Sequence, residues 1–360
     1  MYCWYFVILM ILTLLGLLEI LFENGRKQIY CIIGIVILVC FTGLKLRGGT
    51  DLGNLKIEYE VLSFQSVTAG QFEPLYVLWM VLFNSLLQVP FQCFYFVTAL
   101  FNIGTKIILF KKLPPYLVPA VLIYFIGMYM ERDNDGIRQG ISCSIAYIGM
   151  FYLIKKNVRN FFLYTTLACF IHATSIVFFL LYPLRYVRCK DKWMACIIAF
   201  FLSFPALKIS LFSLLHSLVP FPYVVAKIDR YIAAGNEDYI GEAGYTTGLI
   251  FRVVILLLFL IFHSKMEIDE EKYYIFRNGF SCAIILSLIF HDIAILNHRF
   301  PYGIRELQAF IVPFFMTCTN NKLKKSMIYS VIVLYVFVLL VRLVIRDTEQ
   351  NYLYQSILFS

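Results

Sequence analysis

Runs of about 18 or more apolar residues recur along this 360-residue chain, and that recurrence leaves few folds open. With 61% hydrophobic and 15% charged residues, no soluble packing hides so much apolar surface. In hydrocarbon every backbone donor and acceptor has to be satisfied within its own segment, which favours helices. The short alternating segments of a transmembrane β-barrel do not occur in the sequence. The expected fold is therefore all-α: a polytopic transmembrane helical bundle of about 10–12 spans with extracytoplasmic loops, forming one integral membrane domain over 1–360.

Spans are expected at about 1–22, 29–46, 91–110, 115–130, 137–154, 193–207, 247–263, 274–296, 304–319 and 326–345. Met1–Phe22 lacks a basic leader and a small-residue cleavage site, so it is read as a retained first span. Lysines and arginines in short loops set orientation. Arg26-Lys27, Arg185 to Lys192, and Lys322 to Lys325 ask to be cytoplasmic, which puts loops 47–73, 208–246 and 297–303 outside. Lys111-Lys112 and Lys155 to Arg159 also ask to be inside, and parity then depends on the apolar stretches 74–90 and 161–184. In one arrangement 74–90 is interfacial or re-entrant on the outer side and 161–184 breaks near His172, giving ten spans with Arg138 outside. In the other, all twelve stretches cross and Arg138 lies inside. The first respects more charges.

The most charged interruption between apolar runs is Glu131-Arg132-Asp133-Asn134-Asp135-Gly136-Ile137-Arg138-Gln139-Gly140. A guanidinium at the mouth of a membrane helix needs water, an acid or an anionic ligand. Arg47, Arg299 and Arg305 also lie at the ends of apolar runs, which points to an anion at the membrane surface. Arg305 has Glu306 beside it and reads as a simple ion pair; Arg299 has no neighbouring acid and is the better ligand candidate. In Arg47-Gly48-Gly49-Thr50-Asp51 the glycines permit close backbone approach and the arginine offers a fork for phosphate oxygens. Glu73-Pro74 reads either as a carboxylate at the site or as a helix start. His172 lies deep in an apolar segment, where an ionisable group is a structural hydrogen-bonder or a proton-transfer candidate. His291 reads as mostly structural. Arg230 and Tyr231 in the second outer loop, and Tyr302 after Arg299, could serve a glycan by stacking and hydrogen bonding.

Ten cysteines show no metal-type spacing, and no HExxH, GxSxG or P-loop motif occurs, so neither a metal site nor a nucleotide site is expected. The net charge of +9 is assigned to cytoplasmic loops, not to a nucleic-acid surface.

Leu46-Arg47-Gly48-Gly49-Thr50-Asp51, Phe72-Glu73-Pro74-Leu75-Tyr76, Ile137-Arg138-Gln139-Gly140-Ile141, Phe170-Ile171-His172-Ala173-Thr174-Ser175 and Arg299-Phe300-Pro301-Tyr302 together resemble the EpsG-like polysaccharide polymerase family, relatives of the Wzy O-antigen polymerases. The family pattern usually has alanine after an Arg-Gln-Ile step, whereas here Arg138-Gln139 continues Gly140-Ile141-Ser142, and it usually has serine where Thr174 stands. The resemblance implies an enzyme of the bacterial inner membrane, active on its periplasmic or extracellular side without cofactor. It would transfer a growing glycan from undecaprenyl diphosphate to an incoming lipid-linked repeat unit, with a chain-length regulator as a possible partner. Arg47, Arg138, Arg299 and Gln139 would hold the diphosphate; His172, with Glu73 and Asp51 behind it, would be the base; Arg230, Tyr231 and Tyr302 would contact glycan. A lipid-linked oligosaccharide flippase, an O-antigen ligase and a membrane acyltransferase are the competing readings; paired halves with interrupted helices, the mark of a transporter, are not seen in the sequence.

Overall fold

The computed structural model describes residues 2–22, 27–70, 72–209, 245–291, 294–347 and 352–357. Among the described residues the regular secondary structure is helical except for one two-stranded antiparallel pairing. Five helices have the length and hydropathy of a membrane span: Cys3–Phe22, Phe91–Lys112, Ile137–Ile154, Thr247–Lys265 and Lys322–Arg346. Lys27–Gly43, Pro74–Leu86 and Ala173–Leu184 are shorter and apolar. The chain is an all-α polytopic membrane protein.

The residues form two compact units, 1–176 with 265–267 and 309–360, and 177–264 with 268–308. In the first, α1 is Cys3–Phe22, α2 Lys27–Gly43, β1 Lys45–Arg47, α3 Leu52–Val61, α4 Ser66–Ala69 and α5 Pro74–Val81, continued by a π turn Leu82–Leu86. Then come α6 Phe91–Lys112, α7 Leu117–Tyr124 running into a π-helical stretch Phe125–Asp133, α8 Ile137–Ile154 and α9 Val158–Cys169. The last span, Lys322–Arg346, and β2, Gln355–Ser356, complete it.

Side-chain contacts fix which helix ends lie together. Glu19 on α1 accepts from the backbone N–H of Leu117 and Val118 at 2.8 Å each, satisfying two orphan donors at the start of α7. Lys27 donates to the Pro115 carbonyl, Lys111 to Gln28 at 3.2 Å, and Lys322 to the Leu21 carbonyl at 2.8 Å. Lys112 and Lys155 both lie over the Phe151 ring. One end of this unit thus gathers Lys27, Lys111, Lys112, Lys155 and Lys322. At the other end Tyr2 donates to Asp347 at 2.8 Å and β1 pairs with β2. There Tyr354 stacks on Phe41 with centroids 3.9 Å apart. Arg47, the start of α6 and the start of α8 are also at this end.

The stretch 161–184 does break at the histidine: α9 stops at Cys169, and a 3-10 helix begins at Ala173. The run expected as a span at 304–319 is instead three short pieces, Tyr302–Arg305, Gln308–Ile311 and a 3-10 helix Val312–Cys318 with Pro313 in its first turn. A proline there supplies no donor to continue the ladder.

In the second unit, Asp191–Ala206, Thr247–Phe262 and Glu270–Ile289 pack around a clasp. Arg277, fully buried, donates to Asp191 at 2.8 Å, to the Cys189 carbonyl at 2.9 Å and to the Val187 carbonyl at 3.0 Å. Asp191 also accepts from the Tyr273 hydroxyl at 2.6 Å. This cluster ties a basic loop to a helix, the guanidinium donating to carbonyls, a carboxylate and the Cys189 sulfur.

Candidate functional site

The charged decapeptide 131–140 divides into an inward half and an outward half. The π-helical turn carries the chain past Asp133, and Asn134 N–H reaches back five residues to the Tyr129 carbonyl at 2.8 Å. Asp133, Asn134 and Asp135 all face inward and are buried. Asp133 pairs with Lys106 at 2.8 Å, both side chains wholly inaccessible, and accepts from the Tyr124 hydroxyl at 2.5 Å. Lys106 spends its remaining protons on the Gly140 carbonyl at 3.1 Å and the Ser144 hydroxyl at 2.7 Å. A Cβ at Gly140 would stand 2.5 Å from the Asp133 carboxylate and 2.9 Å from the Asn102 amide. Glycine at this position is therefore demanded by the buried pair.

Asp135 organises the loop that follows β1. It accepts from the Thr50 hydroxyl and from the Asp51 backbone N–H, both at 2.8 Å. Gly48 and Gly49 have φ of +123° and +94°, and a Cβ on Gly49 would collide with the Asp135 carboxylate. The glycine pair is thus accounted for by a protein carboxylate, and a phosphate is not needed to explain it. Beside it, Lys45 donates to the Asn134 carbonyl, and burial pushes its ammonium down to about 8 against the opposing pull of Asp135 and Asp51. Arg47, next but one along β1, is exposed.

Arg138, on the first turn of α8, turns outward. Its guanidinium is 3.8 Å from Glu73 and lies over the rings of Phe72 and Tyr76 at 5.2 and 5.3 Å. The side chains are 32% and 25% exposed, so this pair is open where the Asp133–Lys106 pair is sealed. Glu73 precedes α5, with Pro74 in the first turn, as its helix-start reading requires. It also accepts from the Ala173 N–H at 3.0 Å, while Leu75 N–H reaches the Phe170 carbonyl at 3.0 Å. These bonds seat the start of α5 in the break after α9. Ser142 of α8 holds the same break, donating to the Ala168 carbonyl at 2.7 Å and meeting the Ser175 hydroxyl at 2.5 Å.

His172 lies in that break, buried. Its Nδ1 meets the Thr174 hydroxyl at 2.7 Å and accepts from the Thr174 backbone N–H at 3.3 Å. A backbone amide only donates, so Nδ1 presents a lone pair and the neutral ring carries its proton on Nε2. Gln139 is buried, and among the described residues its Oε1 has no hydrogen-bond partner.

The structure thus brings together Glu73, Arg138 and the His172 break, places Gln139 on the same helical turn, and attaches the Asp51 backbone three residues from Arg138 through Asp135. Arg47 stands at the same end of the unit. Arg299 and Tyr302 belong to the second unit: Arg299 is exposed in the last turn of Ala294–Arg299, whereas Tyr302 is fully buried with Arg305 over its ring at 4.4 Å. Arg305 pairs with Glu306 at 3.3 Å, as read from the sequence. His291 is buried against the Leu288 carbonyl. Arg230 and Tyr231 lie outside the described residues. Sequence reading missed Lys106, Asp133, Asp135, Phe72 and Tyr76 as parts of this site. The signal was a lone lysine inside an apolar run, which in a membrane helix calls for an acid partner.

No curated protein and no solved structure matches the chain. A family model does, over residues 28–356, which takes in every residue of the arrangement just described. The chain belongs to the EpsG family, a Wzy-like polysaccharide polymerase family.

Proposed function

We propose that the protein polymerises lipid-diphosphate-linked glycan repeat units at the outer face of the membrane. The observation that carries this reading is one half-open guanidinium–carboxylate pair, Arg138 and Glu73, set beside His172 at the end of its unit opposite the clustered lysines. Under the positive-inside rule the lysine end is cytoplasmic and the Arg138 end faces outward. That corresponds to the arrangement in which 74–90 does not cross.

The reaction needs an acceptor sugar hydroxyl to attack the anomeric carbon of the donor glycan. The bond from that carbon to the diphosphate breaks, the lipid diphosphate leaves as an anion, and the hydroxyl proton passes to a base. Arg138, with Arg47 as a further candidate at the same end of the unit, meets the charge that grows on the leaving group. The Nε2–H of His172 suits donation to a phosphoryl or sugar oxygen, which shifts the role of base to Glu73 or Asp51. Undecaprenyl diphosphate is the proposed carrier, and no nucleotide sugar is consumed.

The test is the purified protein in lipid vesicles with a defined lipid-diphosphate-linked repeat unit, scored for lengthening without added nucleotide. Arg138→Lys keeps the charge and loses the planar fork, so products should collapse to single units. Products of unchanged length from that variant would reject the assignment.

A further inference from the structure

The first outer connection, 52–90, contains a helix that the membrane reading does not yet explain. Pro74–Leu86 has 13 residues, about 20 Å of helix against a hydrocarbon core of about 30 Å, so it cannot cross. From Leu75 to Phe83 it is nevertheless apolar all round. Tyr76, Val77, Met80, Val81 and Phe83 are buried, and Tyr76, Met80 and Phe83 share a core with Tyr59, Phe94 and Ile141. Leu78, Leu82 and Leu86, four residues apart, form a second stripe that is exposed. A helix apolar on every side is either enclosed by protein or faces lipid, and this one is not enclosed.

Its level relative to α6 points the same way. Trp79 donates to the Thr98 hydroxyl at 3.1 Å and its ring lies 5.6 Å from Phe101. Thr98 is two turns down α6 from Phe91, so Trp79 stands about 10 Å below the outer end of that span. The chain then returns: Gln88, with φ of +50°, turns it, Tyr59 holds the Val89 carbonyl at 2.6 Å, and α6 starts at Phe91. Asn84 closes the reversal by donating to the Tyr59 and Leu62 carbonyls at 2.7 and 2.8 Å. Irregular backbone within hydrocarbon requires this kind of internal satisfaction. On α6 itself Val97 and Leu100, next along the chain to Thr98 and Phe101, are exposed and apolar at the same level as Trp79.

We infer that 74–87 is a re-entrant segment whose Leu78–Leu82–Leu86 stripe is in contact with the hydrocarbon chains of outer-leaflet lipid. The carboxylate that opens it, Glu73, therefore meets Arg138 beside lipid, not in an aqueous loop. The inference rests on the membrane class of the fold and not on the proposed reaction.

The test exploits the scarcity of tryptophan, with only Trp4, Trp79 and Trp193 in the chain. With these replaced by phenylalanine, single tryptophans are placed as Leu82→Trp and Leu86→Trp in the full-length protein in vesicles. Leu334→Trp, exposed on the last span, and Lys56→Trp, exposed on α3, are the references. The expected result is quenching of Trp at 82 and 86 by chain-brominated lipid to the same extent as at 334, with a blue-shifted emission relative to 56. Quenching by aqueous acrylamide as at 56, with brominated lipid ineffective, overturns the inference. Protection from both quenchers also overturns it, since a protein partner would then cover the stripe.

Discussion

The sealed pair Lys106–Asp133 should behave as a single unit, and a double-mutant cycle can show it. Each ion is wholly buried, at 2.8 Å from its partner, with its other hydrogen-bonding capacity taken by Tyr124, Ser144 and the Gly140 carbonyl. Removing one partner leaves a buried charge without its counter-ion, which costs roughly 3–5 kcal/mol. Lys106→Met and Asp133→Asn should each lose that much. The double variant has no charge to strand and loses only the ammonium's bonds to Ser144 and Gly140, about 1–3 kcal/mol, well short of additivity. The assay is thermal unfolding in detergent, read as the folded fraction after heating by size-exclusion chromatography. Additive losses, or single variants within about 1 kcal/mol of the parent, would refute the claim that these charges are sealed and mutually dependent.

Glu73→Gln should affect stability and activity very differently. The partly exposed 3.8 Å pair is worth less than about 1 kcal/mol, while loss of the carboxylate should slow glycan lengthening at least about tenfold; equal effects on both would make Glu73 a structural residue. His172→Gln places an amide N–H near the position of Nε2–H and should retain more lengthening activity than His172→Ala. If the two are equally inactive, the donor role is wrong and a base is required at that position. Lys45 gives a pH test in which the sign is fixed. Its ammonium is pushed down to about 8 in the fold, so between there and its ordinary value near 10.5 the unfolded chain binds the extra proton. Stability should therefore rise with pH across that window, by about 3 kcal/mol in all, and Lys45→Met should flatten the rise.

The fold class was legible because apolar run length is set by bilayer thickness, and nothing local competes with it. The break at His172 was legible in part: it belongs to the ten-span arrangement, which respects more of the loop charges, while in the twelve-span arrangement 161–184 crosses unbroken. What the sequence did not disclose was which charges would be sealed. Asp133, Asp135 and Arg138 look alike in a ten-residue charged stretch, and their partners, Lys106, Thr50 and Glu73, stand 27, 85 and 65 residues away. The Gly48-Gly49 pair was read as room for a phosphate; only the fold reveals the Asp135 carboxylate occupying that space. The run 304–319 reads as one span because hydropathy does not see the buried Arg305–Glu306 pair or the tight turns that follow.

The division of labour within 131–140 also explains how Arg138, the arginine proposed to bind the diphosphate, can be held firmly in a membrane protein. An exposed guanidinium on a mobile loop meets an anion only after losing the entropy of the loop. Here Asp133 fixes the end of the π-helical turn to α6, Asp135 fixes the outer loop to that turn, and Gly140 lets α8 close against the buried pair. The helix start that carries Arg138 is thereby placed before any ligand arrives. The same logic predicts where alanine should fail. At Gly140 a methyl group meets a carboxylate that is itself immobilised by Lys106 and Tyr124, so it cannot yield, and α8 has to move instead. A Gly140→Ala protein that folds with Arg138 still engaged by Glu73, as judged by an unchanged response to Glu73→Gln, would show that the buried pair does not position the site.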